Sequence, residues 1–128
     1  MAYTVLLADD SETIRDVLER TLGMTGLKFD NIYKTANGKE ALTIMKQSWV
    51  DILFTDINMP QLNGIELVKQ MRSDAELKEI PVVIVSTEGS KKRINELKEQ
   101  GIKGYLRKPF TPERIRDIIV DTLGGWDE

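Results

Sequence analysis

At 128 residues, 41% apolar and 30% charged, the sequence has the length and balance of one soluble globular domain. It contains no cysteine and no histidine, which excludes disulfides, thiolate or imidazole catalysis, cysteine-bound zinc and a phosphohistidine carried on this chain. A net charge of −3 argues against direct nucleic-acid binding; no apolar run approaches the about 20 residues that span a bilayer, and no basic leader precedes the first apolar segment, so a cytoplasmic protein without membrane insertion is expected.

Tyr3 to Ala8 reads as a buried strand that closes on the acidic pair Asp9-Asp10. Ser11 is placed to cap a helix on which Ile14, Val17, Leu18 and Leu22 recur at helical spacing. Glu12, Arg15, Asp16, Glu19 and Arg20 form its polar face, and Gly23 and Gly26 mark its end. Asn31 to Ala36 is a more polar strand, expected nearer a sheet edge. Asn37-Gly38 would suit a hairpin, but Ala41, Leu42 and Met45 follow at helical spacing, so Asn37 reads as an N-cap with Glu40 at the third helical position. The same opening returns at Asn63-Gly64-Ile65-Glu66, ahead of Leu67, Val68 and Met71.

Between those two helices runs Val50-Asp51-Ile52-Leu53-Phe54-Thr55-Asp56-Ile57-Asn58-Met59-Pro60, an apolar stretch of strand length that ends on a single acid. Pro60 cannot continue strand pairing and biases Met59 toward extended backbone, so the chain turns there. Ile80 to Val85 is another buried strand, ending at Ser86-Thr87. Ile94 and Leu97 give only a thin stripe to the next helix, whose start carries Lys91, Lys92 and Arg93 and whose end is Gly101. Gly104-Tyr105-Leu106-Arg107-Lys108-Pro109 is a brief last strand stopped by proline. Thr111 and Pro112 open a final helix with Ile115, Ile118, Ile119 and Leu123 on its inner face. Trp126, past Gly124-Gly125, reads as a loosely packed tail. No linker divides residues 1–128, so one domain is expected, with no output domain attached.

Strands alternate with helices five times, over connections too long for hairpins, which predicts parallel βαβ units. The near-uniform apolar strands imply helices on both faces. The fold class is α/β, a doubly wound five-stranded parallel sheet flanked by five helices. Asp9, Asp10, Asp56, Ser86 and Lys108 then all fall at carboxyl ends of strands, the edge where such sheets place ligand sites.

Three carboxylates on one edge are hard to tolerate, since two charges about 4 Å apart repel by roughly 4 kcal/mol at an effective dielectric near 20; protonating one acid would relieve this, and so would a divalent cation. With oxygen ligands alone the ion is a hard one, and Mg²⁺ with a phosphorylated ligand fits better than Ca²⁺, whose regular twelve-residue loop is missing. Lys108 supplies a point charge for phosphoryl oxygens and Ser86 a hydroxyl donor. Each residue also has a plainer reading. Asp9-Asp10 would favour a helix dipole by about 0.3–1 kcal/mol each, Lys108 would be solvated, and Ser86-Thr87 would form a turn. Asp56 resists that treatment, because an acid closing so apolar a strand needs a partner. Their coincidence on one edge favours phosphoryl transfer onto an aspartate.

In Leu6-Leu7-Ala8-Asp9-Asp10-Ser11, in Asp56-Ile57-Asn58-Met59-Pro60 with Asn63-Gly64, in Val85-Ser86-Thr87 and in Tyr105-Leu106-Arg107-Lys108-Pro109-Phe110, the chain resembles the receiver domains of two-component response regulators, in their stand-alone CheY-like form. The resemblance runs from about Thr4 to Leu123. It implies a flavodoxin-like fold and a phosphorylation-dependent switch of the chemotaxis type. Asp56 would be the phosphoacceptor, served by the phosphohistidine of a sensor histidine kinase. Asp10, Asp56 and the backbone carbonyl of Asn58 would hold Mg²⁺, with Asp9 acting through water. Lys108 would hold a phosphoryl oxygen, and Ser86 and Tyr105 would form the coupled switch. The face of the fourth helix, fifth strand and fifth helix would then meet a downstream protein target.

Thr87 stands where the family commonly has alanine, a bulk expected to slow access to the site. Asn58 and Glu88 occupy the family's rate-tuning positions, and their pairing resembles the fast-resetting type, which implies a short-lived phosphoform. Lys91, Lys92 and Arg93 either meet an acidic partner or form a solvated basic turn. The protein is expected to be a monomer or weak dimer, and no enzyme beyond catalysing its own phosphorylation and dephosphorylation. The alternatives are an intermediate carrier in a phosphorelay and a Mg²⁺-dependent aspartyl phosphohydrolase. The latter wants a second acid where Asn58 stands. A flavin-binding protein would want a Ser-, Thr- or Gly-rich phosphate loop where Asp9-Asp10 stands.

Overall fold

The computed structural model describes residues 2–86 and 91–124. Five parallel strands, β1 (Tyr3–Ala8), β2 (Phe29–Thr35), β3 (Ile52–Thr55), β4 (Val82–Ser86) and β5 (Gly104–Arg107), form one sheet in the order β2-β1-β3-β4-β5. They alternate with α1 (Glu12–Gly23), α2 (Gly38–Gln47), α3 (Gly64–Arg72), α4 (Lys91–Glu99) and α5 (Pro112–Leu123). The expected architecture is the one found.

Successive strand residues feed two separate cores, which is why β1, β3 and β4 read as unbroken apolar runs. Leu6, Ala8, Leu53, Val82 and Ile84 point to one face and pack with Ala41 and Met45 of α2, Leu67, Val68 and Met71 of α3, and Leu97 of α4. Val5, Leu7, Ile52, Phe54, Val83 and Val85 point to the other, against Leu18 and Leu22 of α1 and Ile115, Ile118 and Ile119 of α5. The polar β2 takes an edge, as its composition predicts, but it begins at Phe29 and ends at Thr35. β4 begins at Val82, after Pro81, and includes Ser86 as its last residue.

The helix openings form as the Asn-Gly pairs suggest. Asn63 accepts from the Glu66 N–H at 2.9 Å while the Glu66 carboxylate accepts from the Asn63 N–H at 3.1 Å, a complete capping box. Asn37 accepts from the Glu40 N–H at 2.7 Å, but the Glu40 carboxylate turns instead to the hydroxyl of Thr35, at the end of β2. Thr111 caps α5 with Pro112 in its first turn, and a cis peptide joins Lys108 to Pro109. Trp126 lies outside the described residues. Among the described residues, no helix is long and apolar enough to cross a membrane.

Candidate functional site

The chain leaves β1 toward the β2 edge and re-enters the sheet as β3 on β1's other side, so the connections part between these two strands. A cleft opens at such a point, beyond the carboxyl ends of the strands. Ala8 pairs with Thr55 in the β1–β3 ladder, so Asp9 and Asp56 are the next residues on neighbouring strands.

The backbone holds both acids firmly. The Asp56 N–H donates to the Ala8 carbonyl at 2.9 Å, and the Asp9 N–H donates to the Thr35 carbonyl at 3.0 Å. Asp9 is buried; its Oδ1 accepts from the Ser11 N–H at 2.9 Å, and its carbonyl accepts from the Arg15 guanidinium at 2.7 Å. Asp56 is half-buried, with Oδ1 accepting from the Ile57 N–H at 2.7 Å. Asp10 is exposed at the rim. One carboxylate oxygen from each of Asp9, Asp10 and Asp56 lies within 4.8 Å of the others.

Lys108 reaches into this group from the end of β5, where its N–H donates to the Ser86 carbonyl at 3.1 Å. Its ammonium lies 3.3 Å from Asp9 Oδ2 and 3.9 Å from Asp56 Oδ2. The Lys108 ammonium thus lies within 4 Å of two of the three acids. Burial pushes the Asp56 carboxyl above its ordinary range; Lys108 and the Ile57 N–H oppose that rise, while repulsion from Asp9 and Asp10 adds to it. Two unit charges at 4.8 Å, the upper bound on the separation of these oxygens, repel by about 3–4 kcal/mol at an effective dielectric near 20. A divalent cation would relieve that repulsion, and an all-oxygen donor set suits a hard ion such as Mg²⁺.

The other expected residues fall around this centre. Ser86 is buried at the last position of β4, on the same edge. Tyr105 lies in β5 opposite Ile84 and is half-buried against the core beneath α2, α3 and α4, outside the carboxylate group. Asn58 is exposed in the loop after β3. Thr87 and Glu88 lie outside the described residues.

Two contributors were not read as site residues from the sequence. Arg15 looks like one more charge on the polar face of α1, yet its guanidinium holds the Asp9 carbonyl. Gly64 looks like a helix-opening residue, yet a Cβ there would overlap the carbonyl oxygen of Asp56 and lie 2.9 Å from the Ile57 Cα. An apolar depression lined by Ile14, Val17, Lys108, Pro109 and Phe110 opens beside the site, between α1 and the start of α5.

A family model described as the response regulator receiver domain matches residues 5–120. The chain is 37% identical over 121 residues to a chemotaxis protein CheY homolog of Campylobacter jejuni, covering 94% of this chain and 92% of that one. It is 36% identical over 124 residues to chemotaxis protein CheY1 of Helicobacter pylori, covering 96% and 98%. The crystal structure of CheY4 from Vibrio cholerae is similar with a TM-score of 0.79 at 34% identity, covering 97% of this chain and 98% of that one.

Proposed function

Because the chain belongs to the response regulator receiver domain family, the signalling switches to which its CheY relatives also belong, we propose that residues 1–128 are one receiver domain and that Asp56 is its phosphoacceptor. A carboxylate oxygen of Asp56 attacks the phosphorus of a phosphohistidine on a sensor histidine kinase. The P–N bond breaks, and the imidazole leaves with the bonding pair and takes up a proton. The observation that carries this reading is the convergence of Asp56, Asp9 and Asp10 within 4.8 Å, with Lys108 as the facing cation. Transfer of this kind asks the protein for positioning and charge stabilisation more than for covalent chemistry.

Asp10, Asp56 and the Asn58 backbone carbonyl would hold Mg²⁺, with Asp9 acting through water. Bound there, the ion offsets the carboxylate charges and those of the incoming phosphoryl oxygens. Lys108 shifts from Asp9 toward a phosphoryl oxygen, which replaces the carboxylate as its partner. Ser86 donates its hydroxyl to another. Tyr105 then turns inward beside Ser86, and the α4–β5–α5 face changes shape. Reversing a 1:99 population takes about 5.5 kcal/mol of differential stabilisation, toward which a charge-assisted bond from Ser86 contributes about 1.5–3 kcal/mol, while Lys108 exchanges one anionic partner for another.

The donor kinase docks against the apolar depression at Ile14, Val17 and Phe110, which brings its phosphohistidine beside Lys108. On the output side, the exposed Lys92 and Lys98 of α4 suit an acidic segment of a downstream protein. The protein acts as a monomer or weak dimer.

Incubation with Mg²⁺ and a small acyl phosphate, followed by peptide mass spectrometry, tests the core of this reading. One phosphoryl group on Asp56 is expected, and none in Asp56→Asn. Modification that persists undiminished in Asp56→Asn would refute it.

A further inference from the structure

Beyond Asp56, the loop to α3 is held at two points where no side chain intervenes. At its inner end the Gly64 N–H donates to the Ile57 carbonyl at 2.7 Å, in the close contact that a Cβ would forbid. At its outer end the Leu62 N–H donates to the Pro60 carbonyl at 2.7 Å across Gln61, whose φ is +66°. That is a γ-turn of the rare, strained hand, and a residue other than glycine keeps such a backbone only where its surroundings over-determine it.

The surroundings are the first turn of α2. The Gly38 N–H donates to the Leu62 carbonyl at 3.2 Å. A Cβ on Gly38 would overlap that oxygen and lie 3.0 Å from the Leu62 Cβ. This turn is itself anchored to the sheet: Asn37 caps it, Glu40 accepts from the Thr35 hydroxyl, and Thr35 in turn accepts from the Asp9 N–H. Residues 58–61 therefore span two fixed points, one set by α3 and one by α2.

We propose that Gly38 is a positioning residue for the phosphoacceptor site: the first turn of α2 clamps the γ-turn at Gln61 and thereby presets the loop that carries Asn58. The inference rests on the reading of Asp10, Asp56 and the Asn58 carbonyl as a Mg²⁺ site. Its physical content is preorganisation. Ordering of the loop is completed when the protein folds, so cation binding is relieved of that cost. Outer groups that orient ligands commonly change metal affinity by about 10–100-fold when altered.

Calorimetric titration of the full chain with Mg²⁺, alongside metal-free thermal unfolding, tests the clamp. Gly38→Ala drives a methyl group into the Leu62 carbonyl, so it is expected to lower the metal-free unfolding midpoint and to raise the Mg²⁺ dissociation constant about tenfold. Asn37→Ala loosens the same turn without inserting bulk and should also weaken Mg²⁺ binding, by a smaller factor. Gly23→Ala, at the end of α1 where a Cβ would meet nothing within 4 Å, should bind as wild type. Wild-type affinity in both Gly38→Ala and Asn37→Ala overturns the clamp alone. If Gly38→Ala does not fold, Asn37→Ala decides, and wild-type affinity there overturns the proposal. A wild-type protein that takes up no Mg²⁺ overturns the metal reading and the clamp together.

Discussion

The Lys108 ammonium lies 3.3 Å from the Asp9 carboxylate, with the lysine side chain 17% exposed and the aspartate side chain 2% exposed. Removing one member of such a pair leaves a buried charge uncompensated, at a cost of about 3–5 kcal/mol when both groups are fully buried. Lys108 keeps some contact with solvent, so Lys108→Ala is expected to lower metal-free stability by about 2–3 kcal/mol. Mg²⁺ should recover much of that loss, because it answers the same carboxylates. Urea unfolding with and without Mg²⁺ measures both effects. Phosphorylation by a small acyl phosphate should fall steeply in this variant even at saturating Mg²⁺.

The raised pKa of Asp56 gives a prediction whose sign is opposite to the usual aspartate case. Burial is the main cause, and it lifts the folded carboxyl above its ordinary 3.8. Between that value and the folded pKa, the folded state binds more protons than the unfolded one. The Asp56 contribution to stability is therefore greatest in acid and is lost as pH rises through the folded pKa. Asp56→Asn is accordingly expected to exceed wild type in metal-free stability at neutral pH, with the gain shrinking as pH drops into the acid range. Unfolding of both proteins across that range measures the difference. The rate of Asp56 modification should fall over the same acid interval, since the proposed attack needs the ionised carboxylate.

In the proposed mechanism Ser86 separates chemistry from switching. It is buried at the end of β4, and its proposed bond to a phosphoryl oxygen exists only after transfer. Ser86→Ala should still accept a phosphoryl group on Asp56. The phosphorylation-dependent gain in partner affinity should fall about tenfold, the equivalent of one hydrogen bond to a charged group. NMR signals of the Tyr105 ring, displaced on modification of wild type, should move little in the variant.

Val17 distinguishes docking from reactivity. Its side chain is 38% exposed and lines the apolar depression beside Lys108. Val17→Asp should change stability by no more than about 0.5 kcal/mol, as for an ordinary surface substitution. Transfer from a phosphorylated histidine kinase should slow at least tenfold, a loss of about 1.4 kcal/mol or more in binding, while transfer from a small acyl phosphate stays at the wild-type rate. Equal slowing of both reactions would place Val17 in the chemistry and refute the docking role.

Much of this arrangement could be read along the chain because it follows from one-dimensional pattern. Unbroken apolar runs in β1, β3 and β4 reflect burial on both faces, and the polar β2 reflects its edge. Asn37 and Asn63 announced their helices because an N-cap is a local device. Asp9, Asp10, Asp56, Ser86 and Lys108 were found together because strand ends in a parallel sheet share an edge. What escaped reading depends on contacts between distant segments. The missing Cβ of Gly64 has meaning only once the Asp56 carbonyl lies against it, and that of Gly38 only once Leu62 does. Arg15 looked solvent-facing because helical periodicity says nothing of the carbonyl that its guanidinium meets. Glu40 sat at the capping-box position but found a stronger competitor in the Thr35 hydroxyl.

The pairing of Ala8 with Thr55 carries a wider consequence. Asp9 and Asp56 follow these residues directly, so their separation starts from the repeat between neighbouring strands, about 4.8 Å. The sheet thus acts as a gauge, delivering the two acids at a spacing that the loops beyond them did not have to create. Changes in the surface helices then leave the spacing of these two acids untouched, because it is set by the strand ladder beneath them.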